Sequence, residues 1–434
     1  KFDYKSNSDC EIIIHMYLKY GIEETVKSLD GVFGFVLYDI TNNLLYAARD
    51  PIGIRPLFIS NENDNVWVAS ELKAINTKNL VTQFKPGHYY DFNNNSYRKY
   101  FDDSYILTNQ SYNECKTTIK ELLIESVQKR LLSDRPVACL LSGGLDSTII
   151  TALVAKNYKP HQLNSYSIGM TGSVDLKFAN IAAKYIKTNH KSIELSEKEF
   201  LDAIEETIYM IESYDVTTVR ASVGNYLISK YINKNSDDTV IFCGDVSDEI
   251  FGSYRGFKKA KTNDEFKRAN DDMLKNIHYF DVLRSDRSIS GAGLEARVPF
   301  ADKKFVNYVM TMNPQYKMFN EIVMEKKILR DAFDDLLPDE LLYRRKEAFS
   351  DGVSSQERGW FQIIREFVDG MYSDELYEMK KMDYIFNQPY DKESLYYREI
   401  FERYYIGRSD VIPYFWKHPF CDEVDPSARL LAVY

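Results

Sequence analysis

The stretch from residue 137 to residue 147, V-A-C-L-L-S-G-G-L-D-S, constrains the fold of this chain more than any other. Its first five residues form an unbroken apolar run, which is typical of a strand buried on both faces of a parallel sheet. Gly143 and Gly144 predict a turn where the backbone approaches a ligand closely, and residues 148–156 predict a helix. A strand, a glycine turn and a helix start together present free N–H groups and a positive dipole end, which suits phosphate.

The turn is not a Walker A loop, because it lacks G-x-x-x-x-G-K-S/T. It carries Asp146, and a bare carboxylate would repel phosphates. We therefore expect a divalent cation, Mg²⁺, between them. The motif S-G-G-x-D-S resembles the pyrophosphate loop of enzymes that cleave ATP between its α and β phosphates and adenylylate a substrate. The alternative is an ordinary strand–turn–helix corner, in which glycine pairs are common.

The length and composition of the chain narrow the class of protein. With 434 residues, the chain is too long for one core and predicts at least two domains. Its net charge of −10 argues against nucleic acid as a partner. Five scattered cysteines without C-x-x-C argue against a disulfide framework. No apolar run reaches the ~18 residues that a membrane span needs, and the sequence contains no signal-peptide pattern, so we expect a cytoplasmic protein.

The N-terminal part predicts one helix followed by β structure. Residues 9–20 carry apolar side chains at helical spacing, with Asp9 placed to cap the helix and Gly21 to stop it. From residue 29 to residue 92, short apolar runs separated by turns predict an antiparallel meander. Residues 92–113 are polar and predict a linker, so we expect the boundary near residue 112 and domains over 1–112 and 113–434.

Beyond that boundary, strands and helices alternate. After a helix over 114–132 and the glycine turn, strands are predicted at 165–169, 191–195 and 239–243, with helices at 176–187 and 197–213. This pattern predicts a parallel α/β sheet with ligands at the carboxyl ends of its strands. The remainder is predicted to be helical, with helices at 266–284, 304–312, 324–336 and 360–372.

A second acidic turn, G-D-V-S-D-E at residues 244–249, follows the last predicted strand. Three crowded carboxylates favour a metal or a cationic partner, although a solvated acidic loop is the alternative. The basic run R-R-K at 344–346 also has an alternative interpretation as a solvated surface run.

The N-terminal part resembles the later portion of an N-terminal-nucleophile glutaminase domain. The resemblance lies in S-D-C-E (8–11), L-D-G-V-F-G-F-V-L-Y-D (29–39), A-R-D-P-I-G-I-R-P-L-F (48–58) and A-S-E-L-K-A (69–74). In that family an N-terminal cysteine attacks the glutamine amide. The corresponding segment would precede Lys1, and Cys10 is not its equivalent, so we expect no glutamine hydrolysis from the chain as written. The resemblance carries over Asp9 as the residue that binds the glutamine α-amino group.

The whole chain resembles glutamine-dependent asparagine synthetases. The synthetase motifs are L-L-S-G-G-L-D-S, Y-D-V-T-T-V-R-A-S (214–222), S-D-E-I-F-G (247–252), E-A-R-V-P-F, M-E-K-K-I-L-R (324–330) and K-E-A-F-S-D-G. The resemblance implies a partial α+β glutaminase domain with antiparallel sheets. An α/β ATP-pyrophosphatase domain (adenine nucleotide alpha hydrolase-like), with a parallel sheet and a helical C-terminal part, follows it. It also implies a homodimer, with aspartate, ATP and glutamine or ammonia as the small-molecule substrates.

The implied reaction is a two-step amidation by a carbon–nitrogen ligase. The side-chain carboxylate of aspartate attacks the α-phosphorus of ATP, giving β-aspartyl-AMP and pyrophosphate, and ammonia then displaces AMP to give asparagine. In this scheme Asp146 and Asp248 flank Mg²⁺, while Lys346 and Asp245 are catalytic. The ATP-binding positions are Leu140, Ser142, Gly143, Gly144, Asp146, Ser147, Ile168, Cys243 and Gly244. The positions for substrate placement are Thr217, Thr218, Arg220 and Arg297.

Two residues depart from the family turn G-E-G-S-D-E. Asp245 keeps a carboxylate but is one methylene shorter than glutamate, which matters where ~1 Å of misplacement costs rate. Val246 replaces a glycine and would strain the turn if that position needs a positive φ. Two alternatives to asparagine synthesis follow: a related enzyme that adenylylates another carboxylate, as β-lactam synthetases do, and a pseudoenzyme that binds nucleotide without turnover.

Overall fold

The fold is that of a computed structural model, which describes residues 2–62 and 65–420. The chain divides into two compact units, Lys1–Ile106 and Leu107–Tyr434. The division between the two units, at residues 106 and 107, comes earlier in the chain than the domain boundary expected near residue 112. The backbone N–H of Thr108 donates to the carbonyl of Thr311 at 2.8 Å, so this short segment already packs on the second unit.

The first unit consists of one long helix and two antiparallel sheets. The four-stranded sheet has the order β1-β2-β6-β7 and the three-stranded sheet has the order β4-β3-β5. The elements are α1 (Glu11–Ser28), β1 (Gly34–Asp39), β2 (Leu44–Arg49), β3 (Phe58–Glu62), β4 (Asn65–Ala69), β5 (Thr82–Gln83), β6 (His88–Asp91) and β7 (Ser96–Lys99). The predicted antiparallel meander preceded by a helix is confirmed.

Three details of this unit correct the sequence prediction. Gly21 (φ 78°, ψ 172°) breaks α1 as predicted, but a second helical segment, which the sequence analysis did not predict, follows it to Ser28 and buries Val26. Asp9 does not cap α1, since the residue before the helix is Cys10 and no side chain caps it there. Strand β7 lies within the predicted linker. Its Tyr97 packs edge-on against Phe84, with ring centroids 5.1 Å apart, and this packing outweighs the polar composition.

The second unit is built on a five-stranded parallel sheet covered by helices. The elements up to the last strand are α2 (Tyr112–Lys129), β8 (Val137–Leu140), α3 (Leu145–Ala155), β9 (Asn164–Met170), α4 (Val174–Ile186), β10 (Asn189–Leu195), α5 (Glu197–Asp202), α6 (Ile204–Ile211), α7 (Val216–Asn235), β11 (Val240–Phe242), α8 (Ser247–Phe251), α9 (Asn263–Asn276), α10 (Asp281–Ser290) and β12 (Glu295–Arg297). The elements after it are α11 (Lys303–Thr311), α12 (Lys327–Ala332), α13 (Asp339–Leu342), α14 (Phe349–Gly352), α15 (Trp360–Asp369), α16 (Asp374–Lys381) and α17 (Lys392–Tyr404).

The strand order β10-β9-β8-β11-β12 places a switch point in the middle of the sheet. From β8 the chain builds outward through β9 and β10, and then returns to the other side of β8 with β11 and β12. Pairing is parallel, with Ala138 opposite Ile241 between β8 and β11. In such sheets ligands bind where the order reverses, outside the carboxyl ends of the strands. The glycine turn after β8 and the acidic turn after β11 therefore lie side by side.

The helical prediction for this unit needs three corrections. The predicted helix at 197–213 is two helices, α5 and α6. The helix predicted at 266–284 is α9 and α10, separated by a 3-10 turn and by Phe280, whose backbone is not helical (φ −127°, ψ −94°). The helix predicted at 324–336 is shortened to α12. The 20-residue helix α7 and the strand β12 were not predicted, because their sequences show no clear hydrophobic periodicity.

Two further observations concern the cysteines and the helices. Cys10, Cys115, Cys139 and Cys243 are free thiols, and Cys421 lies outside the described residues. Within residues 2–62 and 65–420, no helix is both long enough and apolar enough to cross a membrane.

Candidate functional site

A cavity opens at the carboxyl ends of β8 and β11, at the switch point of the parallel sheet. Most of the predicted site residues face it. Those that line it are Leu140, Ser142, Gly144, Asp146, Ser147, Thr217, Cys243, Gly244, Asp245, Asp248 and Lys346. The structure thus brings residues of the glycine turn, residues of the acidic turn and the distant Lys346 together on one cavity.

The glycine turn after β8 is shaped to bring backbone amides to the cavity. Gly143 has φ +72°, and a Cβ there would lie 2.3 Å from the carbonyl carbon of Phe178, so only glycine fits. The hydroxyls of Ser142 and Ser147 lie 3.0 Å apart across the turn. Helix α3 starts at Leu145, so Asp146 and Ser147 belong to its first turn. Its N-terminal N–H groups are suited to an anion.

The acidic turn after β11 packs directly on that loop. A Cβ at Gly244 would lie 2.8 Å from the backbone nitrogen of Ser147, so this position also requires glycine. Val246 has φ 78° and ψ −19°, in the left-handed region, so this position has the positive φ at which a valine is strained. Helix α8 begins at the next residue and carries Asp248.

The carboxylates of Asp146 and Asp248 both contact Lys326, a residue that the sequence analysis did not single out. The ammonium of Lys326 donates to Asp146 Oδ2 at 2.6 Å and lies 2.5 Å from Asp248 Oδ1. Lys326 is buried, with only 2% of the residue exposed. Burial raises the pKa of Asp248, but the ammoniums of Lys326 and Lys346 outweigh burial and hold that pKa well below its usual range. One buried ammonium group, that of Lys326, therefore contacts both carboxylates.

This arrangement fits a cation between the two carboxylates, as the sequence predicts. Two carboxylate oxygens on adjacent strand ends are the hard ligands that Mg²⁺ prefers, and Lys326 shows that one positive group can contact both. No group of three or more His, Cys, Asp or Glu side chains arranged for a metal occurs within the described residues 2–62 and 65–420. A metal here would complete its shell with phosphate and water oxygens.

Lys346 also contacts the carboxylate of Asp248. Its ammonium donates to Asp248 Oδ1 and lies 3.4 Å from Ser253 Oγ. It also lies 5.0 Å from the centre of the Tyr254 ring, a cation–π contact. The guanidinium of Arg255 donates to the Lys346 carbonyl at 2.9 Å, which fixes the backbone. Lys346 is therefore held at the wall of the cavity next to the acidic turn.

The carboxylate of Asp245 is held by two side chains of α10. Ser285 Oγ donates to Asp245 Oδ2 at 2.5 Å, and the Arg284 guanidinium lies 3.5 Å from Asp245 Oδ1. Arg284 is shared with Asp281, at 3.1 Å. The shorter side chain of aspartate is thus anchored to α10 by two groups.

Some predicted site residues do not line the cavity. Ile168 is buried within β9, 3% exposed. Thr218 donates its N–H and its hydroxyl to Asp215, at 2.9 and 2.7 Å, at the start of α7. The side chain of Arg220 forms a buried ion pair with Glu393 at 2.6 Å. These three residues support the walls of the site rather than contact its contents.

The three remaining predicted positions also lie outside the cavity lining. Gly143 shapes the loop from behind, as its backbone packs on α4. Arg297 pairs with Glu295 at 2.9 Å and donates to the carbonyl of Leu132 at 2.7 Å. Asp9 is exposed in the first unit, next to α1.

The cavity also contains residues that sequence reasoning missed. Arg344, Asp175 and Tyr254 line it together with Lys326. Lys326 lies inside the motif M-E-K-K-I-L-R, so the motif was noted but its buried lysine was not assigned. Nothing in local spacing marks Asp175, which is the second residue of α4.

Comparison with known proteins agrees with this geometry. A family model described as glutamine amidotransferase domain matches residues 1–123, and the asparagine synthase model matches residues 118–272 and 261–418. Asparagine synthetase (glutamine-hydrolyzing) of Cricetulus griseus is 39% identical over 468 residues, covering 100% of this chain and 83% of that protein. The human protein of the same name is 38% identical with the same coverage.

A solved structure, NMN synthetase from Francisella tularensis, aligns with 68% of this chain and 97% of its own, at 13% identity and a TM-score of 0.30. That similarity is too low to support an argument. The two family matches and the full-length identity to the curated relatives are sufficient: this chain belongs to the family of glutamine-hydrolysing asparagine synthetases.

Proposed function

We propose that this chain is a carbon–nitrogen ligase that converts aspartate to asparagine with ATP, through β-aspartyl-AMP, with nitrogen from glutamine in the complete protein. The observation that carries the proposal is the convergence of Asp146, Asp248 and Lys346 on one cavity beside the glycine turn. Residues 1–112 form the glutaminase domain and residues 113–434 the synthetase domain. Asp9 binds the glutamine α-amino group. The homodimer and the cytoplasmic location stay predictions.

In the first step a side-chain carboxylate oxygen of aspartate attacks the α-phosphorus. The new bond joins that oxygen to phosphorus, the bond to the β-phosphate oxygen breaks, and pyrophosphate leaves. The glycine turn and the start of α3 bind the departing phosphates through backbone N–H groups. Mg²⁺ held by Asp146 and Asp248 would neutralise the leaving group. Lys346 places its charge near the transferring phosphorus.

In the second step ammonia attacks the activated carbonyl carbon. A carbon–nitrogen bond forms, the carbon–oxygen bond to AMP breaks, and the nitrogen gives up a proton as the amide is formed. Lys346 stabilises the negative charge on the oxygen of the tetrahedral intermediate before AMP leaves. Asp245 also lines the cavity and is the carboxylate assigned to take up that proton.

The test is pyrophosphate release from ATP with Mg²⁺ and ammonium, with and without aspartate. Ammonium supplies nitrogen directly, so the assay reports on the synthetase unit. We expect release that depends on aspartate and falls at least about a hundredfold in Lys346→Ala. A Lys258→Ala variant is the control, since Lys258 pairs with an exposed glutamate, Glu321, at 2.9 Å. Pyrophosphate release that is not increased by aspartate but is increased by another carboxylate would favour the β-lactam synthetase-like alternative.

A specific observation also supports the pseudoenzyme alternative. Asp245 is anchored by Ser285 and Arg284, and Val246 holds its turn at a positive φ. A double variant, Asp245→Glu with Val246→Gly, separates the two functions. In a synthetase slowed by these replacements, turnover with aspartate should rise, because the longer carboxylate reaches further into the cavity. In a pseudoenzyme, ATP binding would persist and turnover would stay absent in both forms.

A further inference from the structure

Lys346 lies in a segment between α13 and α14 that has no regular secondary structure. A catalytic lysine on such a segment needs anchors, because about 1 Å of misplacement costs a large part of the rate. Arg255 provides one anchor through the Lys346 carbonyl, at 2.9 Å. The second anchor is two residues upstream, at Arg344.

Arg344 is buried, 7% exposed, and its guanidinium makes three different contacts. One nitrogen donates to Asp175 Oδ1 at 2.6 Å. Another donates to the backbone carbonyl of Ser142, in the phosphate-binding turn, at 3.1 Å. The guanidinium carbon lies 4.2 Å from the centre of the Phe178 ring. One side chain therefore connects the Lys346 segment to the glycine turn and to the first turns of α4.

The first turns of α4 hold both loops from the same side. A Cβ on Gly143 would lie 2.3 Å from the carbonyl carbon of Phe178, so the phosphate loop packs against this backbone. At the far end of the Lys346 segment, a Cβ on Gly352 would lie 2.4 Å from Asp175 Oδ2. The hydroxyl of Ser173 donates to the Gly352 carbonyl at 2.7 Å.

We propose that Arg344, paired with Asp175, is a positioning residue that sets Lys346 against the phosphate loop. The proposal rests on the proposed function, since it assumes that the loop holds phosphates and that Lys346 is catalytic. Arg344 acts through its neighbours: it fixes the Ser142 carbonyl, it is fixed by Asp175, and it fixes the backbone from which Lys346 projects. A change at Arg344 should therefore lower the rate of the chemical step.

Lysine cannot replace arginine in this role. The planar guanidinium presents several N–H groups in fixed directions and stacks on an aromatic ring. A lysine ammonium at this position would pair with Asp175 but could not keep the Ser142 carbonyl and the Phe178 ring in the same geometry. Arg344→Lys therefore preserves the buried charge balance and removes the link between the two loops.

The chain offers a matched control in Arg130. Its guanidinium also joins an aspartate, Asp302, at 2.9 Å to a serine backbone carbonyl, that of Ser126, at 3.1 Å. Arg130 does not line the cavity. Arg130→Lys therefore measures the effect on activity of losing such a link where only the stability of the fold is affected.

The experiment measures kcat and KM for aspartate-dependent pyrophosphate release, with radiolabelled ATP so that slow turnover is quantified. The proteins are wild type, Arg344→Lys, Arg130→Lys, Lys346→Ala and the double variant of residues 344 and 346. We expect Arg344→Lys to lower kcat at least about tenfold while KM for aspartate stays within about threefold. In the Lys346→Ala background, Arg344→Lys should change kcat by less than about twofold, because both act through one group.

Two results would overturn the proposal. One is a kcat for Arg344→Lys that matches Arg130→Lys, and the other is a full independent loss in the Lys346→Ala background. If Arg344→Lys fails to fold, Asp175→Asn is tested by the same criteria, because it keeps the shape of the side chain. Absence of pyrophosphate release from the wild type would instead refute the proposed function, so the two failures are distinguishable.

Discussion

Val246 combines two properties that rarely occur together in a β-branched residue. Its backbone is left-handed, with φ 78° and ψ −19°, and its side chain is buried, with the residue 2% exposed. The backbone favours glycine at this position, whereas burial favours the apolar side chain. Substitution by alanine and by glycine separates the two effects, because alanine removes most of the side chain and keeps the strained Cβ.

The expected magnitudes follow from these two effects. Val246→Ala removes two buried carbons and should lower the free energy of unfolding by about 1–2 kcal/mol. Val246→Gly also loses the Cβ, which releases about 1–2 kcal/mol of left-handed strain against about 0.5–1 kcal/mol of added chain entropy. The glycine variant should therefore equal the alanine variant in stability or exceed it by up to about 1.5 kcal/mol, the reverse of the usual order.

Urea unfolding of both variants, followed by circular dichroism at equal protein concentration, measures this difference. Ala203→Gly is the control, because Ala203 has an ordinary φ of −83° and glycine there should be less stable by about 0.5–1 kcal/mol. The reasoning is refuted if Val246→Ala is the more stable variant by about 0.5 kcal/mol or more, since the positive φ would then carry no measurable strain.

Three further predictions concern buried groups and close backbone contacts. Burial lowers the pKa of Lys317 from 10.5 to about 7. Because the unfolded chain binds more protons than the folded protein between these pH values, wild type should gain stability relative to Lys317→Met as pH rises from 7 to 10. A difference in unfolding free energy that does not change with pH would contradict this. Burial also lowers the pKa of His190 from 6.5 to about 4. The stability advantage of wild type over His190→Asn should therefore be lost as pH falls from 6.5 to about 4. The urea unfolding midpoints of both proteins at each pH measure this loss. Gly244→Ala should abolish pyrophosphate release, because its Cβ would lie 2.8 Å from the Ser147 nitrogen, whereas Gly34→Ala, with no such atom nearer than 3.7 Å, should be near neutral in the same assay.

The parallel sheet was predictable because its strands are buried on both faces. The run 137–141 has no polar residue, and β8 is indeed the central strand. The glycine turn was predictable for a local reason as well, since Gly143 takes a positive φ. The start of α3 was placed too late, at residue 148, because Asp146 and Ser147 were assigned to the turn. In the structure they form the first helical turn, where an acidic residue is favoured by the dipole.

The elements that sequence reasoning missed are stabilised by distant contacts. Strand β12 has three residues and exists because Ala296 pairs with Ile241 of β11. Helix α7 is buried almost all round, so it has no amphipathic stripe to reveal it. Arg220, predicted at the substrate, is instead neutralised by Glu393, which lies 173 positions later in the chain. No local pattern contains such a partner.

Lys326 shows most clearly where sequence reasoning about the site stopped. Asp146 and Asp248 follow two different strands, and their carboxylates require positive charge to lie close together. From the acidic residues alone, a metal was the natural inference, yet the structure supplies a lysine from 180 positions beyond Asp146. The two solutions are compatible, because Lys326 and Lys346 balance the two carboxylates before nucleotide binds, and the phosphates that arrive with a metal bring their own negative charge. The ammonium groups of Lys326 and Lys346, both in contact with Asp248 and the first also with Asp146, thus hold these side chains where the metal–nucleotide complex is proposed to bind.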